Sequence, residues 1–512
     1  MYEALGVHAI AGFVKAAGHE CDLLVASDEE HFDQKIADLK PDLIAFSCMT
    51  RQQEWVISTT NRLRERLDIP ILLGGTHPTM YPETLGHCAA DYLCVGEGEF
   101  PVLDLLNRMA EGGRTDNIPN IHAKVGGKLI KNEIRPLMTD WDDLAFPDRE
   151  VYGRYPFLQE LPLKRFITAF GCAYKCSFCY INNYREVYAG KGKFFRRKSV
   201  SRVINEMKRV RERYPLKRIH YVDDLFSLNK EWLNEFLPVY TQEIGLPWSA
   251  NVWIAHMNED MVRLFKENGC VGVTFGVESG DEKTRIELID KHLPNDIFIK
   301  NCKYLTDYGI PFHTGNIIGL PGEGVEKAYE TARFNRQIGA TSTRAGLFWP
   351  FPGTKLTEYA VDHGMLSADY SVEYFNKGIY PKVKHEQVDE LTVLANIFQL
   401  VAKWGWFERV SRVLLKWPKS FIVQTIAKLV DQSYWYHEAK FFGVLNWSGI
   451  KYYWHIHRSL AGMRRFGTNP EYHKDGSASE RIENDAQGQR PSWNISKEDM
   501  DRVYEKTRDG IT

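Results

Sequence analysis

Three cysteines fall within eight residues, Cys172, Cys176 and Cys179, in the spacing C-x3-C-x2-C. They directly follow the apolar run RFITAF (165–170), so a strand delivers three thiols onto one loop. Thiolates are the natural ligands of iron–sulfur clusters. Three of them hold three irons of a [4Fe–4S] cube and leave the fourth iron to be chelated by a small molecule. A structural zinc site wants four ligands, and no second C-x-x-C supplies them, so only Cys270 or His220 could complete one. The nine cysteines are odd in number, and the first twenty residues carry no basic n-region or clean apolar stretch. A disulfide framework and a secretory signal are therefore not expected, and a cytoplasmic location is.

A length of 512 residues suggests about three domains. A net charge of −2 argues against a generic nucleic-acid binder, whose footprint would be basic. Hydrophobic residues at 44% and charged residues at 26% exclude a wholly disordered or collagenous chain. No apolar run reaches the length of about eighteen residues that a membrane span needs.

The first third alternates helix and strand. Helical spacing covers Gly6 to Ala17, 29–40, Trp55 to Leu67, 82–88 and Phe100 to Ala110. Between these stand the apolar runs CDLLVA (21–26), DLIAFSC (42–48), IPILLGG (69–75) and DYLCVG (91–96). The pattern predicts a parallel sheet covered on both faces. Such sheets take ligands beyond the carboxyl ends of their strands. Those ends carry Ser47, Met49 and Thr50, then Gly74, Gly75, Thr76 and His77, then Gly96, Glu97, Gly98 and Glu99. Any one of these loops reads as a tight turn, but three on one sheet edge favour a ligand site. The G-x-G-x-x-G spacing with its following acid is absent, so a nicotinamide site is not expected.

The segments ILLGGTHPTMYPETL and ADYLCVGEGEFPVLDLL resemble the cobalamin-binding domain at the front of B12-dependent radical SAM proteins. The cysteine triplet, with Phe178 before its last member, resembles the radical SAM signature. Relatives often read Arg-Gly-Cys-Pro where this chain has Phe170-Gly171-Cys172-Ala173. The resemblance covers roughly 1–370, about two domains. It implies an α/β chain. A Rossmann-like cobalamin-binding domain takes 1–125, with its first strand short or missing because the chain opens almost at the first helix. A linker (126–160) leads into a partial (β/α)6 TIM-like radical SAM barrel (161–370).

Further strands are read at 218–229, 248–254, 270–281, 311–323 and 343–356, and their C-terminal ends should carry the functional groups. The resemblance puts Asp223 or Asp224 at the amino group of S-adenosylmethionine (SAM), Glu278 and Ser279 at its ribose and carboxylate, and Gly315 to Gly319 beside adenine. It puts the strand-end residues of the first domain, Ser47 to Gly98, around cobalamin. From the residues alone, Asp223-Asp224 also reads as a helix cap. No D-x-H-x-x-G motif is present, so no histidine ligand to cobalt is expected; His77 either lies near the corrin or closes its loop.

The implied chemistry is cleavage of SAM to a 5′-deoxyadenosyl radical, with cobalamin mediating methyl transfer to an unactivated carbon of a small-molecule or lipid-like substrate. A flavodoxin- or ferredoxin-type reductant is implied as the electron donor. Alternatives are a cobalamin-dependent cyclase or oxidase, a methylthiotransferase-like enzyme, and a non-catalytic B12 or metal sensor. The residues identify no catalytic acid or base and no oligomeric state.

Past residue 370 the composition changes. Residues 371–465 read as helical, and six of the thirteen tryptophans lie between 404 and 454, interleaved with Lys and Arg as in KWGWFERVSRVLLKWPK. Helices packed on the barrel, an aromatic substrate pocket or lid, and an amphipathic surface in peripheral contact with membrane are the three readings. Residues 466–512 read as a polar tail with one short helix at EDMDRVYEKTR (498–508).

Overall fold

The computed structural model describes residues 3–351, 353–366 and 386–443. Its first sheet comprises β1 (Ile44–Ser47), β2 (Ile71–Gly74), β3 (Tyr92–Cys94), β4 (Ile121–Val125) and β5 (Lys128–Ile130), side by side in that order. Strands β1 to β3 run parallel, whereas β4 and β5 form an antiparallel hairpin on the far edge. The hairpin turns at Gly126-Gly127, both at positive φ, which suits a two-residue turn matched to the strand twist. The sheet is thus mixed rather than wholly parallel, and it reaches Ile130, inside the expected linker.

No strand forms over the run at 21–26. Its backbone bonds go to side chains instead: Val25 N–H donates to the Tyr155 hydroxyl at 2.6 Å, and Leu23 N–H to Asp22. Helix Thr76–Met80 starts directly at the end of β2, where a loop was expected.

The second sheet holds β6 (Leu163–Phe166), β9 (Arg218–Tyr221), β10 (Trp248–Asn251), β11 (Cys270–Glu278), β12 (Phe312–Ile318) and β13 (Ser342–Leu347), adjacent in chain order. Every neighbouring pair is parallel. Parallel neighbours in chain order need a helical crossover each time, and one constant crossover hand curls the sheet into part of a barrel. In β12, Phe312, Thr314, Asn316 and Ile318 are buried while His313, Gly315 and Ile317 are half-buried, the period-two signature of a strand with two unlike faces. A short ribbon, β7 (Ala169–Phe170) paired with β8 (Arg196–Arg197), stands apart from the barrel. Under β9 and β10, Tyr221, Phe226, Phe236, Tyr240, Trp248 and Phe265 form one buried aromatic core. Burying each ring contributes roughly 1.5–3 kcal/mol.

Helix Val388–Lys403 buries Leu391, Leu394, Ile397 and Phe398 in a cluster with Ile318 of β12, Ala345 of β13 and helix Val325–Gln337. For this helix, packing on the barrel is what the structure shows. Helix Phe407–Leu414 then returns along helix Val325–Gln337, held by Arg333–Glu408 and Arg412–Glu326 pairs. Helix Phe421–Phe441 ends with Phe441 beside His313 and Phe442 against His220, near the start of β9 and β12. The side chain of Trp435, Trp447, Trp454, residues 367–385, and the expected tail and helix at 498–508 lie outside the described residues. Among those described, no helix is long and apolar enough to cross a membrane.

Candidate functional site

The cysteine loop hangs from β7 and is tied down by backbone bonds. Cys179 N–H donates to Cys176 C=O at 3.0 Å, and Asn182 Nδ2 donates to the same carbonyl at 2.9 Å. Ser177 N–H donates to Ile289 C=O, Ser177 Oγ to Leu288 C=O, and Leu356 N–H to Ser177 C=O. Arg185 donates to the carbonyls of Cys172 and Tyr174. These bonds hold the backbone of the loop. All three cysteines are free thiols, and burial pushes Cys172 up to about 11 and Cys176 and Cys179 up to about 12. Ionising them without a cation is costly, so a positively charged centre must take the place of the protons.

Among the described residues no three His, Cys, Asp or Glu converge where one metal ion could sit. Neither proposed fourth donor reaches the loop: Cys270 is buried in the barrel wall with its thiol on Gly272 C=O, and His220 Nδ1 shares a bond with Ser249 Oγ. Three thiols on one loop, each free for its own iron, fit a cluster.

The strand ends divide into those that face this loop and those that do not. The charges of Asp224 and Glu278 act on the cysteine thiols, as does the Lys291 ammonium. Asp224 accepts from Gly171 N–H at 3.1 Å, directly before the first cysteine, yet its side chain remains open to solvent. Surrounding protein raises its carboxyl to about 6. Asp223 is consumed elsewhere: it is buried and accepts from both the backbone N–H and the hydroxyl of Thr168.

Glu278 sits at φ 64° after a bulge in β11 and pairs with Lys291 at 3.2 Å. Its carboxylate folds back over Gly276, where any Cβ would overlap it. Ser279 is fully buried and donates to Glu323 at 3.2 Å. Gly315 faces open space within 4 Å of where a Cβ would stand, while Gly319, at φ 70°, packs on Leu391.

The sequence alone did not reveal a stack beside the loop. Tyr174 lies on Trp253 with ring centroids 3.8 Å apart, Lys291 sits over the Trp253 ring, and the Tyr174 hydroxyl shares a 3.0 Å bond with His256. Only Tyr174 stood in a recognisable motif; Trp253 and His256 come from the segment after β10 and Lys291 from the segment after β11, and no local signal marks them.

Glu323 yields a pH prediction. Its carboxyl accepts from Ser279 and from Leu320 N–H, and burial raises it to about 7. An unfolded chain releases this proton near the ordinary value of about 4.3. Between those values the folded state binds the extra proton, so stability falls as pH rises. Glu323→Gln should match the parent near pH 4, already exceed it slightly at pH 5 and exceed it at pH 8 by on the order of 3 kcal/mol in denaturant unfolding.

At the first sheet's edge, Ser47, Met49 and Gly75 are exposed and Gly74 and Thr76 half-buried, leaving a strand edge open to a ligand. Thr50 is buried. His77 is fully buried, with Nε2 bonded to Thr84 at 3.1 Å and burial lowering its pKa to about 4, so its ring is not presented at that edge. Gly98 packs on Ile10.

The third loop meets the barrel instead. A Cβ at Gly96 would overlap the Tyr188 hydroxyl, which accepts from Glu97 N–H at 2.8 Å. Tyr188 caps helix Ile181–Val187, which starts two residues after Cys179. The Glu97 carboxylate pairs with Arg196 of β8 at 2.6 Å and accepts from Met138 N–H. Thus the ligand edge of the first sheet is fastened to the helix and the ribbon strand that follow the cysteine loop.

The family described as B12 binding domain matches residues 2–106, and the family described as Radical SAM superfamily matches residues 166–334. An uncharacterised methyltransferase of Pyrococcus horikoshii is 27% identical over 365 residues, covering 70% of this chain and 78% of that protein. Cytidylyl-2-hydroxyethylphosphonate methyltransferase of Streptomyces wedmorensis is 24% identical over 374 residues, covering 65% of this chain and 69% of that protein. The structure of TsrM, a radical S-adenosylmethionine methyltransferase from Kitasatospora setae with tryptophan and a SAM analogue bound, has the same fold. It superposes with a TM-score of 0.57 at 17% identity, over 70% of this chain and 73% of that one.

Proposed function

Since this chain belongs to the cobalamin-dependent radical SAM enzymes, whose cofactors are a [4Fe–4S] cluster, SAM and cobalamin, we propose that it transfers a methyl group to an unactivated carbon of a small molecule. When bound, the cluster and SAM supply a carbon-centred radical and cobalamin supplies a methyl group. Cys172, Cys176 and Cys179 hold the cluster. Asp224, anchored by Gly171 N–H and still open, receives the SAM amino group. The ion-paired Glu278 would meet the ribose, and the open space at Gly315 would leave room for adenine. Ser47, Gly74, Gly75 and Thr76 border the corrin. Glu97 and Tyr188 act as positioning residues, fixing the spacing between the two cofactors, on which the yield of a radical reaction depends. A flavodoxin- or ferredoxin-type protein delivers the electron.

The observation that carries this reading is the junction at Gly96 and Glu97, which ties a B12-type strand edge to Tyr188 and Arg196, on the helix end and ribbon strand that follow the cysteine loop. A sensor needs no fixed spacing between two cofactors. The test is to incubate reduced, reconstituted enzyme with SAM bearing a deuterated methyl group and analyse the corrin fraction by mass spectrometry. The reading expects label in the corrin. Formation of 5′-deoxyadenosine with unlabelled corrin would favour the cyclase or oxidase alternative, and neither product would favour the sensor.

A further inference from the structure

The helical hairpin after the barrel leaves an apolar face uncovered, and we propose that this face docks the protein on an anionic lipid bilayer. The inference is independent of the reaction proposed above.

Helix Phe407–Leu414 has two apolar faces. The inner one carries Ser411, buried and bonded to the Tyr329 hydroxyl, together with Leu415. The outer one carries Trp406, Val410, Val413 and Trp417, which are 62%, 41%, 52% and 61% exposed. The spacing of four and three residues puts Trp406, Val410 and Val413 on one stripe, and Trp417 follows in the turn beyond the helix. Helix Phe421–Phe441 repeats the arrangement: Val423 and Ala427 are buried, whereas Phe421, Ile422 and Leu429 are 83%, 68% and 60% exposed. Single exposed apolar residues are ordinary, but two adjoining stripes of them mark an interaction site.

The charges around the stripes select the occupant. Between 403 and 429 the chain carries six cations and one carboxylate, Glu408, which is engaged by Arg333 and Arg412. Lys403, Arg409, Lys416 and Lys428 are exposed and form no ion pair among the described residues. The apolar cores of protein interfaces are depleted in lysine. Tryptophan flanked by Lys and Arg instead suits the boundary between acyl chains and anionic headgroups. Because no described helix can cross a bilayer, the contact is peripheral.

The stripe also has a direction. Lys419 pairs with Asp389 at the start of helix Val388–Lys403, and nearby Leu391 packs on Gly319 at the C-terminal end of β12. Trp417 and Phe421 therefore stand toward the end of the barrel where the strands finish, whereas Trp406, next to Gly405 on Arg336, stands toward the end where they start, so the face runs along the side of the barrel.

The test uses the full chain, reconstituted, in co-sedimentation with vesicles of phosphatidylcholine alone or with about a third phosphatidylglycerol. Pelleting is expected with the anionic vesicles at low ionic strength. High salt should weaken it several-fold, since each cation near the surface adds roughly fivefold. The variant Trp406→Ser/Trp417→Ser/Phe421→Ser should lose roughly tenfold or more of binding. Lys403→Glu/Lys416→Glu/Lys428→Glu should lose the preference for anionic vesicles. All three aromatic side chains are exposed, so iron and corrin content should match the parent in both variants. No pelleting of the parent at low salt, or equal pelleting of parent and both variants, overturns the proposal. So does a parent that is dimeric by analytical ultracentrifugation, is made monomeric by the Trp and Phe changes and binds no vesicles; the face would then join two copies of this chain.

Discussion

Replacing Cys176 with alanine should abolish full cluster assembly and leave the fold intact. The loop around it is held by backbone groups: the Cys176 carbonyl accepts from Cys179 N–H and Asn182 Nδ2, and Ser177 is clamped to 288–289. Alanine keeps every one of those bonds and removes only the sulfur. One iron then has no protein ligand, and a cube with two anchors and two open irons does not persist. Iron and sulfide should fall well below the parent's content after anaerobic reconstitution, and 5′-deoxyadenosine formation should fall by about three orders of magnitude or more. Cys172→Ala and Cys179→Ala should behave alike. Cys270→Ala is the contrast, because Cys270 is buried in β11 with its thiol on Gly272 C=O and should keep full iron. A Cys176→Ala protein with a complete cluster would remove the assignment.

The second large effect is at the domain junction. Arg196→Met leaves the Glu97 carboxylate without its cation in a place where both side chains are nearly excluded from water, at 5% and 15% exposure. Stranding one member of a buried pair costs about 3–5 kcal/mol, most of it the desolvation of the survivor. For a domain of this size that lowers Tm by roughly 10 °C, read by circular dichroism. The loss should not be additive: Arg196→Met with Glu97→Gln removes the orphan charge and should recover part of the stability. Because Glu97 N–H also donates to Tyr188, the single variant should retain less corrin after gel filtration. Unchanged Tm and corrin content would mean the junction does not couple the two sites.

The architecture was legible where the sequence repeats a local rule. Apolar runs separated by helical spacing gave the sequential parallel sheet, and the packed triplet gave the loop that carries the thiols. Errors arose where a tertiary partner decided. The run at 21–26 has strand composition, but its backbone bonds go to Tyr155 and Asp22, so it joins no sheet. The Gly126-Gly127 turn was a readable hairpin signal, missed because the first domain was closed at 125.

Within the candidate site, residue type did not separate neighbours. Asp223 and Asp224 look equivalent in sequence, yet Thr168 takes both oxygens of the first and leaves the second open. Glu278 and Ser279 divide in the same way, one beside the cysteines and one buried on Glu323. Gly96 and Glu97 read as ligand residues because they end a strand. Their involvement with Tyr188 and Arg196 depends on a contact about a hundred positions away along the chain, which no local pattern records.

One chain is proposed to hold two cofactors in a fixed relation. The most direct measurement is the iron, sulfide and corrin content, with the visible spectrum, of protein reconstituted anaerobically, given hydroxocobalamin and freed of excess. About four irons and one tightly held corrin per chain are expected. A full complement of iron without retained corrin would contradict the proposal, because the first sheet's open edge would then not be a cobalamin site and methyl transfer through this pair of cofactors could not occur.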